Sequence, residues 1–291
     1  MPELPEVETI VRDLNKKVLG RTFVDVWTDW QKMIKKPENF KTFKKTIIGK
    51  KILKIRRRGK NILFELSGKK ILLIHQKLTG HLLFGNWKQE NREWRPTVPG
   101  PLEDPMNRFL HLIFWLDNGK QLALSDLRKF AKIELGDNKE IEKLKDLREL
   151  GPEPLEKSFT FEKFEAILKR KKGKIKQVLM DQQVLAGIGN IYSDEILWQA
   201  KIHPFRDVSK LKEEELKKIY QAMREILPKA IELSGESISD FRRISGEKGY
   251  FDKERKVYRR EGEPCSRCGT RIKRVKLAGR SAHFCPKCQK S

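Results

Sequence analysis

Apolar residues near the N-terminus recur at the spacing of a helix. They lie three or four positions apart, at Val7, Ile10, Val11, Leu14 and Val18. Pro5 can start such a helix, because its missing N–H costs nothing in the first turn. Gly20 is typical of a residue just past a helix end, so the pattern predicts a helix between these two positions.

From about residue 21 to residue 135 the pattern becomes that of strands. Apolar runs with charged ends fill Lys51–Leu66 and Lys70–Phe84, and Leu110–Leu116 is apolar at every second position. Asn118-Gly119 predicts a hairpin turn after the last of these. The polar, proline-rich segment Asn86–Met106 predicts a long loop.

The second half of the chain has helical character. At Gly136–Leu155, charge runs followed by G-P-E-P indicate an interdomain linker with a short helix. Helical spacing begins at Ser158, and Leu211–Leu233 is predicted to form a long amphipathic helix. Ser234–Glu261 has weak periodicity and several glycines, which predicts a mobile loop.

The net charge of the chain indicates the kind of partner that it binds. The 291 residues include 64 Lys and Arg against 40 Asp and Glu, a net charge of +24. Such a field attracts polyanions, which could be DNA, RNA or an anionic membrane surface. A surface adapted only for solubility or heat would mix both signs in ion-pair networks. The charge therefore favours nucleic acid.

The sequence also predicts where the protein works. No run of about 18 apolar residues is present that could span a bilayer. The acidic start M-P-E-L-P-E-V-E lacks the positive charge of a signal peptide. We therefore expect a soluble intracellular protein, cytoplasmic and associated with the nucleoid.

Four cysteines lie close to the C-terminus, as Cys265-x2-Cys268 and Cys285-x2-Cys288. This spacing is typical of a four-cysteine Zn²⁺ site, and a site closed by four thiolates is structural rather than catalytic. Two disulfides are the alternative, which an intracellular location disfavours. The segment is also basic, so it is predicted to touch phosphate, through Arg267, Arg271, Lys273, Arg274, Lys276 and Arg280.

The N-terminal residues suggest covalent chemistry. Removal of Met1 would expose the secondary amine of Pro2, and an α-amino group titrates near pH 8, so much of it is neutral at physiological pH. Such an amine can attack the C1′ atom of a sugar and form a Schiff base. Glu3 and Glu6 could supply a general acid. Alternatively, these two carboxylates only stabilise the positive end of the helix.

Three features together point to a known family: M-P-E-L-P-E-V-E-T at the N-terminus, L-A-G-I-G-N-I-Y at 185–192, and the C-terminal four-cysteine finger. The chain closely resembles the formamidopyrimidine-DNA glycosylase family, also called 8-oxoguanine DNA glycosylase or MutM, over its whole length. The resemblance implies an α+β fold with an N-terminal β-sandwich and flanking helix. A helical helix–two-turn–helix domain with a four-cysteine zinc finger hairpin follows it. We place the sandwich at 1–135, a linker at 136–157, the helical domain with a lesion-recognition loop at 158–255, and the finger at 256–291.

The resemblance also implies an activity and its residues. Pro2 matches the family nucleophile, Glu3 the proton donor and Glu6 a second glutamate near the lesion sugar. Lys60, in R-R-R-G-K, matches a lysine that assists β-elimination and holds phosphates, although it could be a solvated strand end. Arg280 matches an arginine that assists the second elimination. The implied protein is a bifunctional DNA glycosylase and AP lyase of base excision repair. It is expected to be a monomer with one structural Zn²⁺ ion, acting on double-stranded DNA with oxidised purines or abasic sites.

Three further residues match side chains that fill the void left by a flipped nucleotide. Leu78 replaces the usual methionine and remains an apolar wedge. Arg128 and Phe130, in D-L-R-K-F, would contact the orphaned cytosine and wedge between bases. Without the matching neighbours, Phe130 would be interpreted as an ordinary core aromatic.

Other matches concern phosphate contacts and a lid. Asn190 lies in the turn of the helix–two-turn–helix motif, and Lys171 and Lys176 match basic residues that contact DNA, although such a run is usually a solvated face. The loop around Ser239–Tyr258 resembles a flexible lid over the flipped base. Phe109 replaces a histidine that touches DNA, so that contact is lost or moves to Arg108.

Two other functions remain open. An endonuclease VIII-type enzyme, which prefers oxidised pyrimidines, would share much of this pattern, but P-E-L-P-E-V-E favours the formamidopyrimidine type. A non-catalytic binder of DNA or RNA would use the same basic surface and finger. The presence of Pro2, Glu3 and Lys60 argues against such a binder.

Overall fold

The predicted N-terminal helix is present as α1, Leu4–Lys17, in a computed structural model that describes residues 1–237 and 240–290. Val7, Ile10 and Leu14 are fully buried along one face, as the spacing predicted. The helix ends before Gly20, which has a φ of 78°. A positive φ is costly for residues with a Cβ atom, so glycine suits this turn.

The remaining helices are confined to short connections and to the second half of the chain. They are α2 (Phe40–Ile47), α3 (Asn138–Glu142), α4 (Lys145–Arg148), α5 (Phe161–Leu168), α6 (Ile175–Met180), α7 (Asn190–Ala200) and α8 (Glu213–Glu232). The strands are β1 (Phe23–Thr28), β2 (Ile34–Lys36), β3 (Ile52–Arg58), β4 (Asn61–Leu66), β5 (Lys70–His75), β6 (His81–Gly85), β7 (Trp87–Glu90), β8 (Glu93–Pro96), β9 (Leu110–Leu116), β10 (Gln121–Ser125), β11 (Lys132–Asp137), β12 (Lys273–Leu277) and β13 (Arg280–Phe284). The predicted long helix and linker helix are thus confirmed.

Two sheets form a sandwich. One has the strand order β1-β9-β10-β6 and the other β2-β11-β5-β4-β3. Phe114 and Leu122 from the first sheet share one buried core with Phe64 and Ile74 from the second. Neighbouring strands run antiparallel except β2 and β11. The predicted β-sandwich is confirmed.

The segment Asn86–Met106 is not the structureless loop that its composition predicted. β7 and β8 pair as a hairpin whose turn residues Asn91 and Arg92 both have positive φ, 49° and 69°. Trp94 in β8 lies 5.1 Å from Trp27 and 5.9 Å from Trp115, ring centroid to ring centroid. Packing of Trp94 against aromatic residues of the sheet therefore orders the β7–β8 hairpin. The polar composition of the segment does not reveal this packing.

The chain folds as two compact units. Unit 1 comprises Met1–Arg148 and Leu233–Asp252, and unit 2 comprises the residues between these segments and those from Lys253 onward. The segment Leu233–Asp252, here called the strap, thus belongs with the sandwich although α8 of unit 2 precedes it. This differs from the predicted helical domain at 158–255, which included the strap.

The strap packs against the two sheets of the sandwich. Phe241 and Ile244 enter the sandwich core, and the Ile244 carbonyl accepts a hydrogen bond from the Phe84 N–H at 2.7 Å. The Arg242 guanidinium donates to both carboxylate oxygens of Asp104, at 3.0 and 3.1 Å. Phe241 and Ile244 are thus packed in the core, and the predicted mobility of Ser234–Glu261 stays a prediction. Ser239, with which the predicted lid begins, lies outside the described residues.

Unit 2 is built around α7. α8 and the β12–β13 hairpin both pack against it. Trp198 of α7 joins an apolar cluster with Val257, Ile272 and two of the cysteines. Among residues 1–237 and 240–290, no helix combines the length and apolarity needed to cross a bilayer.

Arg242→Met should lower the free energy of unfolding by about 1.5–3 kcal/mol, because it removes the buried guanidinium that donates two hydrogen bonds to the partly exposed Asp104 carboxylate. Burial raises the pKa of Asp104, but hydrogen bonds from Arg242 and the Met106 N–H outweigh it and hold that pKa below its usual 3.8. The pair therefore adds stability above that pH, which is lost as the pH falls through the lower folded pKa. Urea unfolding at pH 7 and pH 3 should show the difference shrink in acid.

The exposed Arg108 supplies the control. Arg108→Met should change the free energy of unfolding by no more than about 0.5 kcal/mol. An Arg242→Met effect of equal size at both pH values would contradict the assignment of this stability to the ion pair.

Candidate active site

The N-terminal residues form a buried acidic pocket at the start of α1. Pro2 is buried, and Glu3 and Glu6 are only 3% and 1% exposed. The Glu6 carboxylate accepts the Glu3 N–H at 2.8 Å and the Glu236 N–H of the strap at 2.9 Å. Gly235 lies so close that a Cβ atom would stand 2.8 Å from Cγ of Glu6. Glu6 is thus fixed between the helix end and the strap.

The chain's amino terminus lies in this pocket. Burial lowers the pKa of the terminal amine below 8.0, and the charge of Lys60 lowers it further, whereas Glu3 and Glu6 oppose the shift. Lys60 occupies the β3–β4 turn and is 6% exposed. The alternative of a solvated strand end is therefore wrong for Lys60. The fold brings the N-terminus, both glutamates and Lys60 together, and the lowered pKa favours the neutral form of the Met1 amine.

His75, at the end of β5, belongs to the same neighbourhood but was missed in the sequence. Burial, then the charges of Lys77 and Lys60, lower its pKa to about 3. Its Nδ1 accepts the Lys77 N–H at 2.9 Å, so the neutral ring carries its proton on Nε2. A polar residue ending the apolar run Lys70–His75 was the available signal.

Leu78, Arg128 and Phe130 come together on two adjacent loops. Phe130 is 51% exposed, so its interpretation as a core aromatic is wrong. The Cζ atom of Arg128 lies 4.8 Å from the Phe130 ring centroid. An open depression of about 520 Å³ joins Met1, Leu78 and Phe130. Its rim is basic, with Lys32, Lys35, Lys77 and Lys129.

Phe109, which replaces the family histidine, contacts the neighbouring Arg108 in the structure. Arg108 is exposed, and its Cζ atom lies 4.9 Å from the Phe109 ring centroid. A cation over an aromatic face is attracted to it and held in place. The transfer of a DNA contact to Arg108 stays a prediction.

In unit 2, Asn190 is the first residue of α7. Within the described part of the chain, its buried Oδ1 atom has no hydrogen-bond partner. The start of a helix favours anions, because N–H groups and the helix dipole point toward them. Lys171 is half-buried ahead of α6.

Lys176 differs from expectation. It is 1% exposed, and its Nζ donates to Asp194 at 2.5 Å and to the Ser281 carbonyl at 2.7 Å. The other Asp194 oxygen accepts the His283 N–H at 2.9 Å. Lys176 is thus a buried link between α6, α7 and the β12–β13 hairpin rather than a surface contact for DNA. Its place in a basic run concealed this role.

The four cysteines form one cluster, as predicted. All four Sγ atoms lie within 4.8 Å of one another, with Cys268 3.5 Å from Cys285 and 3.4 Å from Cys288. Disulfide sulfurs would be about 2 Å apart, so the alternative of two disulfides is wrong. Tetrahedral Zn–S bonds of about 2.3 Å place sulfurs about 3.8 Å apart, which these positions fit.

Arg280 begins β13, directly after the two-residue turn of the finger hairpin. The turn residues Ala278 and Gly279 have φ values of 46° and 75°, and the arginine is exposed. In the first Cys-x-x-Cys knuckle, Arg267 stacks on Trp198 with 3.6 Å from Cζ to the ring centroid. The bond from Lys176 to the Ser281 carbonyl holds β13 one residue after Arg280, whose side chain stays exposed.

Comparisons with known proteins agree with this arrangement. Family models match three segments: the formamidopyrimidine-DNA glycosylase N-terminal domain at residues 1–133, its H2TH domain at 150–242, and a zinc finger found in FPG and IleRS at 262–290. A formamidopyrimidine-DNA glycosylase of Pelotomaculum thermopropionicum is 42% identical over 290 residues, covering 100% of this chain and 99% of the relative.

Solved structures agree as well. A mutant of Lactococcus lactis FPG, in complex with DNA that contains Fapy-dG, superposes with a TM-score of 0.86 at 35% identity and full coverage of both chains. The L. lactis complex with abasic-site DNA gives 0.85 at 35% identity, covering 99% of this chain and 100% of that one. MutM with carbocyclic 8-oxo-G DNA gives 0.85 at 36% identity, again with full coverage of both chains.

The sandwich with its N-terminal pocket, the helical unit and the cysteine finger define the class of DNA glycosylases with an H2TH domain. The chain belongs to the formamidopyrimidine-DNA glycosylase family. The resemblance predicted from the sequence is confirmed.

Lys176→Met should lower the free energy of unfolding by about 3–5 kcal/mol, because it leaves the buried Asp194 carboxylate without its cation. Lys171→Met, at a more exposed lysine of the same segment, should change it by about 0.5 kcal/mol or less. Urea unfolding of both variants measures these values. Equal, small effects would show that Lys176 is solvated in solution.

Proposed function

We propose that this chain is a bifunctional DNA glycosylase and AP lyase that removes oxidised purines in base excision repair. The observation that carries the proposal is the N-terminal pocket, where the buried Pro2 lies beside the buried side chains of Glu3, Glu6 and Lys60. A nucleophile, proton donors and a phosphate-binding cation are the groups that Schiff-base chemistry on a sugar requires. Each of them is held by a helix end or a tight turn.

The substrate class comes from the relatives. The similar structures hold DNA with Fapy-dG, an abasic site or a carbocyclic 8-oxo-G. Family membership over the full chain supports the same lesions here. Double-stranded DNA with an oxidised purine or an abasic site is therefore the proposed partner, bound by a monomer.

The reaction begins once removal of Met1 exposes the Pro2 nitrogen. This nitrogen attacks C1′ of the lesion nucleotide, the bond from C1′ to the base breaks, and the base leaves with a proton supplied through Glu3. The nitrogen then loses its proton, the C1′–O4′ bond breaks as O4′ takes up a proton, and the opened sugar remains as an iminium on Pro2. Loss of a proton from C2′ then expels the 3′ phosphate, and a second elimination, assisted by Arg280, expels the 5′ phosphate. Lys60 holds phosphate and assists the first elimination.

Further residues are assigned to DNA binding. Leu78, Arg128 and Phe130 fill the space left by the flipped nucleotide. Asn190 binds phosphate with the N-terminus of α7, and Lys171 adds a charge. These assignments rest on exposure, on the shared depression and on the positive helix end.

The finger holds one structural Zn²⁺ ion through Cys265, Cys268, Cys285 and Cys288. Four thiolates close the coordination sphere, so the ion provides folding energy and no open position for substrate. Through β13 it fixes the position of Arg280.

Borohydride trapping tests the nucleophile. Incubation with an 8-oxoguanine·cytosine duplex and borohydride should give a covalent protein–DNA adduct, because hydride reduces the iminium to a stable amine. Pro2→Gly should abolish the adduct or strongly reduce it. Yield should fall at lower pH as the amine becomes protonated.

Three controls separate the alternatives. Intact mass must show that Met1 is absent, since an intact Met1 blocks attack. Tight duplex binding without an adduct would support a binding protein instead. Faster release of thymine glycol than of 8-oxoguanine would support the endonuclease VIII type.

Metal removal tests the finger. The purified chain should contain one zinc per molecule by elemental analysis, and Cys285→Ser should reduce this content and the duplex affinity together. Zinc should also be lost as the pH falls, because protons compete for the thiolates. Ser281→Ala, which leaves all four cysteines in place, is the matched control and should keep the metal. Full zinc content in Cys285→Ser would exclude the four-thiolate site.

A further inference from the structure

Two loops cross between the sheets of unit 1 at the same end of the sandwich. Residues 76–80 connect β5 to β6, and residues 126–131 connect β10 to β11. β5 pairs with β11 through His75 and Lys132, and β6 pairs with β10. Strand pairing on both sides therefore holds the two loops next to each other.

The buried side chain of Asp126 joins the two loops through hydrogen bonds. Its side chain is fully buried, and its Oδ1 atom accepts the hydroxyl of Thr79 from the other loop. Its Oδ2 atom accepts the Ala131 N–H at 2.7 Å. The Thr79 hydroxyl oxygen in turn accepts the Arg128 N–H at 3.0 Å. Both carboxylate oxygens and the hydroxyl are thus engaged between the loops.

The backbone that these bonds hold is strained. Lys77 and Lys129 have φ values of 55° and 56°, and each directly precedes a residue that projects outward, Leu78 or Phe130. Side chains with a Cβ atom adopt this region at a cost, so the surroundings must stabilise it. Gly80 closes the first loop so tightly that a Cβ atom would overlap the Gln76 carbonyl.

We propose that Thr79 and Asp126 are positioning residues that hold Leu78, Arg128 and Phe130 as one preformed wedge. This inference rests on the proposed function. Thr79 is 6% exposed and Asp126 is 0% exposed, so they act through the projecting residues. A wedge that is already ordered enters the duplex without the entropy cost of fixing two loops, which favours nucleotide flipping.

A pair of substitutions at Thr79 tests this. Thr79→Val keeps the shape but removes the hydroxyl that joins Asp126 to the Arg128 N–H, whereas Thr79→Ser keeps it. Base release from an 8-oxoguanine·cytosine duplex is measured in single turnover. Trapping by borohydride on a single-stranded abasic oligonucleotide is measured in parallel, because a single strand has no void to fill.

Thr79→Val should slow duplex base release about tenfold, because the two hydrogen bonds of the Thr79 hydroxyl are lost and the Arg128 N–H keeps only its longer bond to Asp126 Oδ1, at 3.3 Å. It should also weaken the preference for cytosine over adenine opposite the lesion, since Arg128 is less well placed. Trapping on the single strand should stay near the wild-type level, and Thr79→Ser should restore the duplex rate.

The results that overturn the proposal are distinct. Wild-type duplex rates in Thr79→Val would show that the hydroxyl does not position the wedge. Equal losses on duplex and single strand would show general damage to unit 1 instead. A wild-type chain that traps neither substrate would overturn the proposed function, and the wedge with it.

Discussion

Burial of the apolar faces of two sheets against each other is the interaction on which unit 1 depends. Phe64, Ile74, Phe114 and Leu122 lie in that shared core. At about 25 cal/mol per Å² of apolar surface, such burial supplies the main stabilisation of a sandwich. Each connection between the sheets must then cross at an end of the sandwich. The loops that carry Leu78 and Phe130 are two of these crossings, so the core decides where these two residues lie.

Buried carboxylates link segments of the chain that the apolar core brings close together. Glu6 joins the N-terminus to the strap, Asp126 joins the two crossing loops, and Asp194 joins α6, α7 and the finger hairpin. Each accepts hydrogen bonds from backbone N–H groups, which offset part of the cost of removing a charge from water. Asp194 also pairs with the cationic Nζ of Lys176. These buried acids hold in place the segments that they join.

The parts of the site that could be predicted are those set by short motifs. The Pro2–Glu6 start, the R-G-K turn with Lys60 and the paired Cys-x-x-Cys knuckles were located in the sequence, and the fold brings each set together. Lys176 was misassigned because a lysine in a basic run has the same local sequence whether it is solvated or buried. His75 was missed because its lowered pKa comes first from burial, which only folding supplies, and then from the charges of Lys77 and Lys60. The β7–β8 hairpin was missed because its order comes from Trp27 and Trp115, far away in the chain.

By itself, the sequence determined the α1 helix, the strand-rich first half, the helical second half and the grouping of the four cysteines, and it located the candidate reactive residues at the N-terminus. These follow from local spacing and residue type, since side-chain periodicity and metal ligation act over a few residues. Only the tertiary structure decided that the strap belongs to unit 1, that Glu6 contacts Glu236, and that Thr79 contacts Asp126. Such contacts join residues far apart in the chain, and they form because burying the core brings their polar groups out of water together.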